Sequence, residues 1–255
     1  MKTSALTLSI AATLVAGSAC AQSALAGYTV KLGGGYIDPR ATSSDLDNTL
    51  QGLPLSHLPG NHLEVQKKAA VIFSIERALS ENISVEFVAG VPPKHDVKLR
   101  ASASAKAAYA TCGTACPGAT AVVARVGGND GQVVSTVKQI APTVFLNYKF
   151  LGASNALRPY VGVGLNYTKF DATSTKQGEV VVGTSPVKIK LSDSFGLAFQ
   201  VGVNYKFNDK WSANVGWATA AVKNDMDITA ANGTHVEAFY RFHPSMFNAT
   251  VGYSF

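Results

Sequence analysis

The chain is short of charge. Asp, Glu, Lys and Arg make up 15% of its 255 residues, while 47% are hydrophobic. Soluble domains carry about 25% charged residues, so this shortage argues against an ordinary soluble surface. Beyond the first 26 residues no stretch approaches 18 consecutive apolar residues, which excludes a transmembrane helix there. The formal net charge is +6, yet no basic run carries interleaved aromatics, and nucleic acid is not implied. Cysteine is scarce as well: besides Cys20 there are only Cys112 and Cys116, in a Gly/Ala/Thr-rich segment. A metal site would need two further ligands at matching spacing. None is nearby, so neither metal nor cofactor is expected. In an oxidising compartment a C-x3-C pair is expected to close a small loop disulfide, with free thiols the alternative.

The first 26 residues read as an export signal. Lys2 supplies a positive start, and Leu6 to Val15 is an apolar core too short to span a bilayer. Small residues follow, with cleavage expected after Ala21 or after Ala26. A lipoprotein reading of Cys20 is weaker, because Gly17 stands where a bulky aliphatic is needed. About 230 residues remain, enough for one domain.

What the chain has is strict alternation. At its end, Phe247, Ala249, Val251, Tyr253 and Phe255 share one face, and Asn248, Thr250, Gly252 and Ser254 the other. Period-2 patterning marks a strand with one face in an apolar medium. A closed transmembrane barrel needs such a last strand to pair with its first and remove the open edges. Seven more segments alternate in the same way: residues 28–37, 69–75, 83–91, 143–150, 160–168, 195–207 and 211–218. Their connections alternate between long and short, with loops expected at 38–63, 96–132, 171–187 and 225–235. Eight antiparallel strands, short periplasmic turns and long extracellular loops describe an outer-membrane β-barrel. A soluble barrel would point its bulky residues inward. Here the inward file is Gly, Asn, Thr, Ser and Ala, which suits a narrow lumen, and the Phe/Val/Leu file suits lipid.

Several segments carry a family resemblance. Arg158-Pro-Tyr-Val-Gly-Val-Gly-Leu-Asn-Tyr-Thr-Lys-Phe170 resembles the fifth strand of the OmpW family of outer-membrane proteins, and Ser192 to Tyr205 resembles the strand after it. Asn82-Ile-Ser-Val-Glu86 with Pro92 and His95 is similar to the third strand. Ala141-Pro142-Thr143 and the terminal Gly252-Tyr253-Ser254-Phe255 fit too. The long loops, especially 96–132, depart from a typical member. The resemblance implies an eight-stranded barrel in the bacterial outer membrane, with a narrow, largely apolar interior. It also implies passive uptake of small hydrophobic compounds. The expected partners are outer-membrane lipid and lipopolysaccharide, small apolar solutes, and the barrel assembly machinery through the strand ending in Phe255.

An eight-stranded barrel is filled by its own side chains, so a wide aqueous pore is not expected. Lateral release past the outer leaflet would suffice for an apolar solute. Counted from the periplasmic ends, Pro92 and Pro142 fall at roughly equal height on neighbouring strands, and neither can donate a ladder hydrogen bond. They mark either a lateral exit or simply the point where strands leave the membrane. Val88, Phe145, Tyr160 and Ala218 are the inward candidates for a lumen path. Glu86 and Lys149 lie deeper, either paired as a plug or only packed. Leu50, Leu53, Leu55 and Leu58 give the first loop an apolar patch, for ligand capture or for self-packing. The histidines are scattered. His95-Asp96 with Ser245 is the nearest approach to a catalytic set, and adjacent strand residues point to opposite faces, so no enzyme is expected. A structural or adhesive barrel acting through its loops is the alternative to transport.

Overall fold

The computed structural model describes residues 26–50 and 53–255, and their side chains apart from 48–58 and 119. Eight strands close the barrel: β1 (Tyr28–Asp38), β5 (Lys68–Ala78), β6 (Ile83–Gly90), β9 (Thr143–Lys149), β10 (Leu157–Ser174), β12 (Ser194–Lys206), β13 (Trp211–Ala220) and β16 (Ser245–Ser254). Each pairs antiparallel with the next, and the last returns to the first from Thr29↔Ser254 to Asp38↔Ser245. Closure gives each of these strands a partner on both sides, as a bilayer demands. The expected outward files are the lipid-facing ones: Leu32, Val71, Leu146, Val163, Leu197, Val215 and Val251 are all exposed. Aromatic pairs at the turn end, such as Trp211 with Tyr253 and Tyr205 with Phe207, form a girdle at the interface. Residues 1–25, which hold almost all of the expected signal, lie outside the described residues.

The long connections are not loops. Residues 38–63 contain β2 (Leu46–Leu50), β3 (Leu53–Leu58) and the start of β4 (His62–Val65). Residues 96–132 contain most of β7 (Lys94–Arg100), then α1 (Ala103–Cys112), a single 3-10 turn and α2 (Gly118–Gly128), before β8 (Val133–Ile140). Residues 171–187 hold the end of β10 and α3 (Lys176–Val182), followed by β11 (Val187–Leu191). Residues 225–235 lie within the hairpin of β14 (Val222–Ala230) and β15 (His235–Phe242). These strands are short, four to nine residues each, so each shows few alternating positions. Pairing across distant loops completes them.

Together they build two sheets above the barrel. One is the upper part of β10 with β8, β7 and β4, and the other runs β11-β14-β15-β2-β3. Their inner faces share a core that includes Leu46, Leu63, Leu99, Val126, Met226 and Phe242. The helices lie against this core. Ser102 accepts from the Ala105 N–H to cap α1. Gly127 lets α2 approach α1, since a Cβ there would fall 2.0 Å from the Ala105 carbonyl oxygen. Cys112 and Cys116 are bonded, their Cα atoms 5.0 Å apart, at the end of α1.

Candidate functional site

The lumen has two parts with opposite chemistry. In the lower part, Lys31 on β1 sits between Glu76 on β5, at 2.7 Å, and Glu86 on β6, at 2.8 Å. Lys149 on β9 pairs with Glu76, and so does the Ser84 hydroxyl. Glu86 also accepts from Ser74 (2.7 Å), Asn147 (2.9 Å) and Gln200 (3.1 Å), and Gln200 donates to Asn147 as well (2.7 Å). Lys31, Glu76 and Glu86 are all under 5% exposed. Two cations meet two anions, and the remaining lone pairs are taken by neutral donors. That is the arrangement in which buried charge is tolerated. Tyr160 crosses the lumen above Gly202 and Gly216, where a Cβ would lie 2.6 and 2.8 Å from its hydroxyl. Its hydroxyl donates to Asn214 at 3.3 Å.

Glu86 and Lys149 are thus both in the plug, but not as partners of each other. Lys149 takes Glu76, and Glu86 takes Lys31. The signal for the other two was present in the sequence: Lys31 and Glu76 both fall on inward files.

The upper part is apolar. Phe145 shares a cross-strand row with Glu86, so the plug ends where the cavity begins. The cavity measures about 110 Å³ and is lined by Ile37, Ile72, Val88, Phe145, Ala218 and Met246, among others. Of the predicted lumen residues, Val88, Phe145 and Ala218 therefore line it, while Tyr160 belongs to the plug side. Two further cavities follow toward the outside. One of about 40 Å³ is bounded by Phe170, Leu191, Met226 and Tyr240, and it shares Gln139 with the first. One of about 60 Å³ is bounded by Leu63, Val126, Val181 and Val236, and it shares Ser135 and Ile189 with the second.

The wall beside the lowest cavity is interrupted. The β6–β9 ladder ends at Val88↔Thr143. Pairing resumes only where Pro93 O accepts the Gln139 N–H at 3.2 Å and Lys94 faces Lys138. No ladder pair or backbone hydrogen bond joins residues 89–92 to residues 140–142. Each flank is held from behind: Val91 N–H donates to Val71 O (2.8 Å), and Pro142 O accepts from Tyr167 (3.1 Å). The cavity lining includes Gly90 and Val91 from one flank and Ala141 from the other. Extending the register puts Pro142 opposite Ala89, and Pro92 opposite Ile140. The prolines therefore do not share a height. Pro142 marks the lower end of the seam and Pro92 the upper.

Other candidates are dispersed. Leu50, Leu53, Leu55 and Leu58 fall in β2 and β3, whose side chains at these positions lie outside the described ones. His95 is fully buried on β7, with Nδ1 2.8 Å from Gln66 O and Nε2 without a partner. Burial holds it below the usual histidine range. His235 Nε2 lies 2.9 Å from Asp227 and 3.5 Å from Glu237 on the outer face of the second sheet, a surface group of metal-ligating types.

A model of the OmpW family matches residues 114–255. Outer membrane protein W of Vibrio cholerae is 28% identical over 236 residues, covering 89% of this chain and 88% of that protein. Its Salmonella typhi namesake is 31% identical over 209 residues, 80% of each. Among solved structures, OprG from Pseudomonas aeruginosa has a TM-score of 0.69 at 24% identity, covering 90% of this chain and 96% of that one. The outer membrane protein AlkL, determined in DMPC bilayers, has a TM-score of 0.55 at 21% identity, covering 90% of each. At these identities the structural likeness shows the fold.

Proposed function

The chain belongs to the OmpW family of bacterial outer-membrane β-barrels, and from that premise we propose that it admits small hydrophobic molecules passively and releases them sideways. The observation that carries this reading is the junction of plug and seam. Below Phe145 the lumen is filled by a charge-balanced, hydrogen-bonded network, and an apolar solute gains nothing by displacing it. Above Phe145 the apolar cavity reaches the unpaired stretch between Val88/Thr143 and Pro93/Gln139. A solute transferred from water into apolar surroundings gains about 25 cal/mol per Å² buried. The file of cavities supplies such surroundings outside the membrane, where the sugar-rich leaflet surface does not. The hydrocarbon beyond the seam then completes the transfer.

Each residue has a role in this path. Leu63, Val126 and Val236 receive the solute, Phe170 and Met226 pass it down, and Val88, Phe145 and Ala218 hold it beside the wall. Pro92 offers no N–H across the seam, and Pro142 is turned to Tyr167 on the far side, so neither closes it. Lys31, Glu76, Glu86 and Lys149 close the route to the periplasm.

Entry of a graded series of alkanes and monoaromatics into proteoliposomes tests the reading. Apolar solutes are expected to enter faster with the protein than without it, and charged ones are not. Pro92→Ala with Pro142→Ala is expected to slow the apolar series several-fold in a folded barrel. If the protein accelerates no solute at all, transport is lost, and the loops become the functional surface of a structural or adhesive barrel.

A further inference from the structure

Immediately above the seam the outer wall carries cations that face each other. Lys94 is directly opposite Lys138 across β7 and β8, and Lys223 is directly opposite Arg241 across β14 and β15. All four are exposed. Like charges in directly opposed positions destabilise a sheet, and here the same arrangement occurs on two sheets.

The register places both pairs at one level. Ile140 pairs with Lys169, two residues below Lys138. Thr168 pairs with Ser194, and the Ser194 hydroxyl accepts from the Lys223 N–H at 3.0 Å. Lys94, Lys138, Lys169, Lys223 and Arg241 therefore trace a belt around the barrel mouth. Directly beneath it the surface is apolar: Val91 is 59% exposed, Ile140 43%, Tyr167 42% and Phe195 63%. That edge is where the hydrocarbon ends and lipid headgroups begin.

Among the described residues none of these five cations is ion-paired. Four carboxylates lie near the belt, of which Asp96 and Asp225 follow Lys94 and Lys223 two residues on along the same strand faces. Asp171 stands across from Lys138, and Asp193 accepts from the Tyr167 hydroxyl at 2.5 Å. Higher on the wall the pattern reverses. Asp227 faces Lys190 on one side and Glu237 on the other, and Glu237 faces Asp47. Directly opposed cations thus lie at headgroup height, and the directly opposed acids Asp227, Glu237 and Asp47 lie above them.

We propose that this belt is a binding surface for the phosphate groups of outer-leaflet glycolipid, with the Lys94–Lys138 pair holding one phosphorylated lipid at the upper lip of the seam. A phosphate between the two ammonium groups converts their repulsion into two charge-assisted contacts. The belt requires only that the barrel sits in an anionic leaflet, and it stands whatever passes the seam.

The test uses the full-length protein in phosphatidylcholine nanodiscs doped with bisphosphorylated or with dephosphorylated lipid A. The readout is the lipid A retained by the protein after exchange against excess phosphatidylcholine. The phosphorylated form is expected to be retained preferentially. Each basic residue near such a surface contributes about fivefold, so Lys94→Gln with Lys138→Gln should reduce retention roughly 25-fold. Lys188→Gln with Lys190→Gln, on the higher strand β11, should leave it unchanged. Equal retention of the two lipids would overturn the proposal, as would an unaffected Lys94/Lys138 variant or an equal loss in the Lys188/Lys190 variant. Displacement by inorganic phosphate as readily as by lipid A would also overturn it, since the occupant would then be soluble phosphate and not a headgroup.

Discussion

The two halves of the lumen are lined from the same eight strands and differ in almost every physical respect. Below Phe145 the interior is charged, its two lysines and two glutamates are mutually paired, and it is closed. Above it the interior is apolar, holds voids, and its wall stops pairing for a few residues. One side chain per strand decides the lower half: Lys31, Glu76, Glu86 and Lys149 come from four different strands, and each is paired with at least one of the others. The upper half is decided by what is missing, namely the seam-facing N–H removed at Pro92, any ladder pair between residues 89–92 and 140–142, and a row of charges replaced by Val88, Phe145 and Ala218. A barrel of fixed strand number can therefore be a stopper at one end and a receptacle at the other without changing diameter.

Variants that erase this contrast should have graded effects. The largest is expected from Lys31→Met, which leaves Glu76 and Glu86 buried beside each other with one remaining cation. Removing one partner from such a network costs about 3–5 kcal/mol, readable as a lowered heat-modifiability midpoint in detergent. Adding Glu86→Gln should recover part of the loss. Next is closure of the seam with Ala89→Cys and Pro142→Cys, opposed by register. Oxidation should slow apolar uptake about tenfold or more, reduction should restore it, and the parent protein under the same reductant serves as control. Filling the cavity with Ala218→Leu should slow uptake a few-fold and cost about 1–3 kcal/mol through overpacking, the reverse balance to Lys31→Met.

The smallest effect concerns pH. His95 is buried, and its pKa in the fold is depressed below the unfolded value. Above the unfolded pKa both states are neutral and the residue contributes no pH dependence. As pH falls through that value the unfolded chain takes the proton first, so stability declines until the folded pKa is reached. Thermal scans from pH 7.5 to pH 5 should show a progressive loss of stability that His95→Gln abolishes.

Much of the membrane half was legible in the sequence because lipid imposes period 2 over whole strands. Phe195 to Phe207 alternates without a break, and β12 is found there. Glu86 was legible as inward for the same reason, and Lys31 and Glu76 lie on files just as clear. Their choice of partners was not legible, because cross-barrel distance depends on stagger, which no single strand encodes. The upper sheets were hidden for a related reason. Leu63 with Val65, or Val97 with Leu99, shows too few repeats to separate a strand from a loop, and their partners lie dozens of residues away. The prolines were visible as ladder breakers, but their offset needed the register of β6 on β9 and of β7 on β8.

One strand, Leu157–Ser174, belongs to both the membrane wall and the upper sheet. The part outside the membrane is therefore not a tethered domain that can swing on a linker. It stands on β10 as on a post, and β8 and β9 lean on that post together, above and below the break. The opposite flank, β6 with β7, is braced by β5 and β4. Any widening of the seam must separate these two braced bodies as units. Strain applied to the outer sheets, by a bound molecule or by a neighbouring lipid, would then reach residues 89–92 and 140–142, a stretch of the wall with no ladder to absorb it.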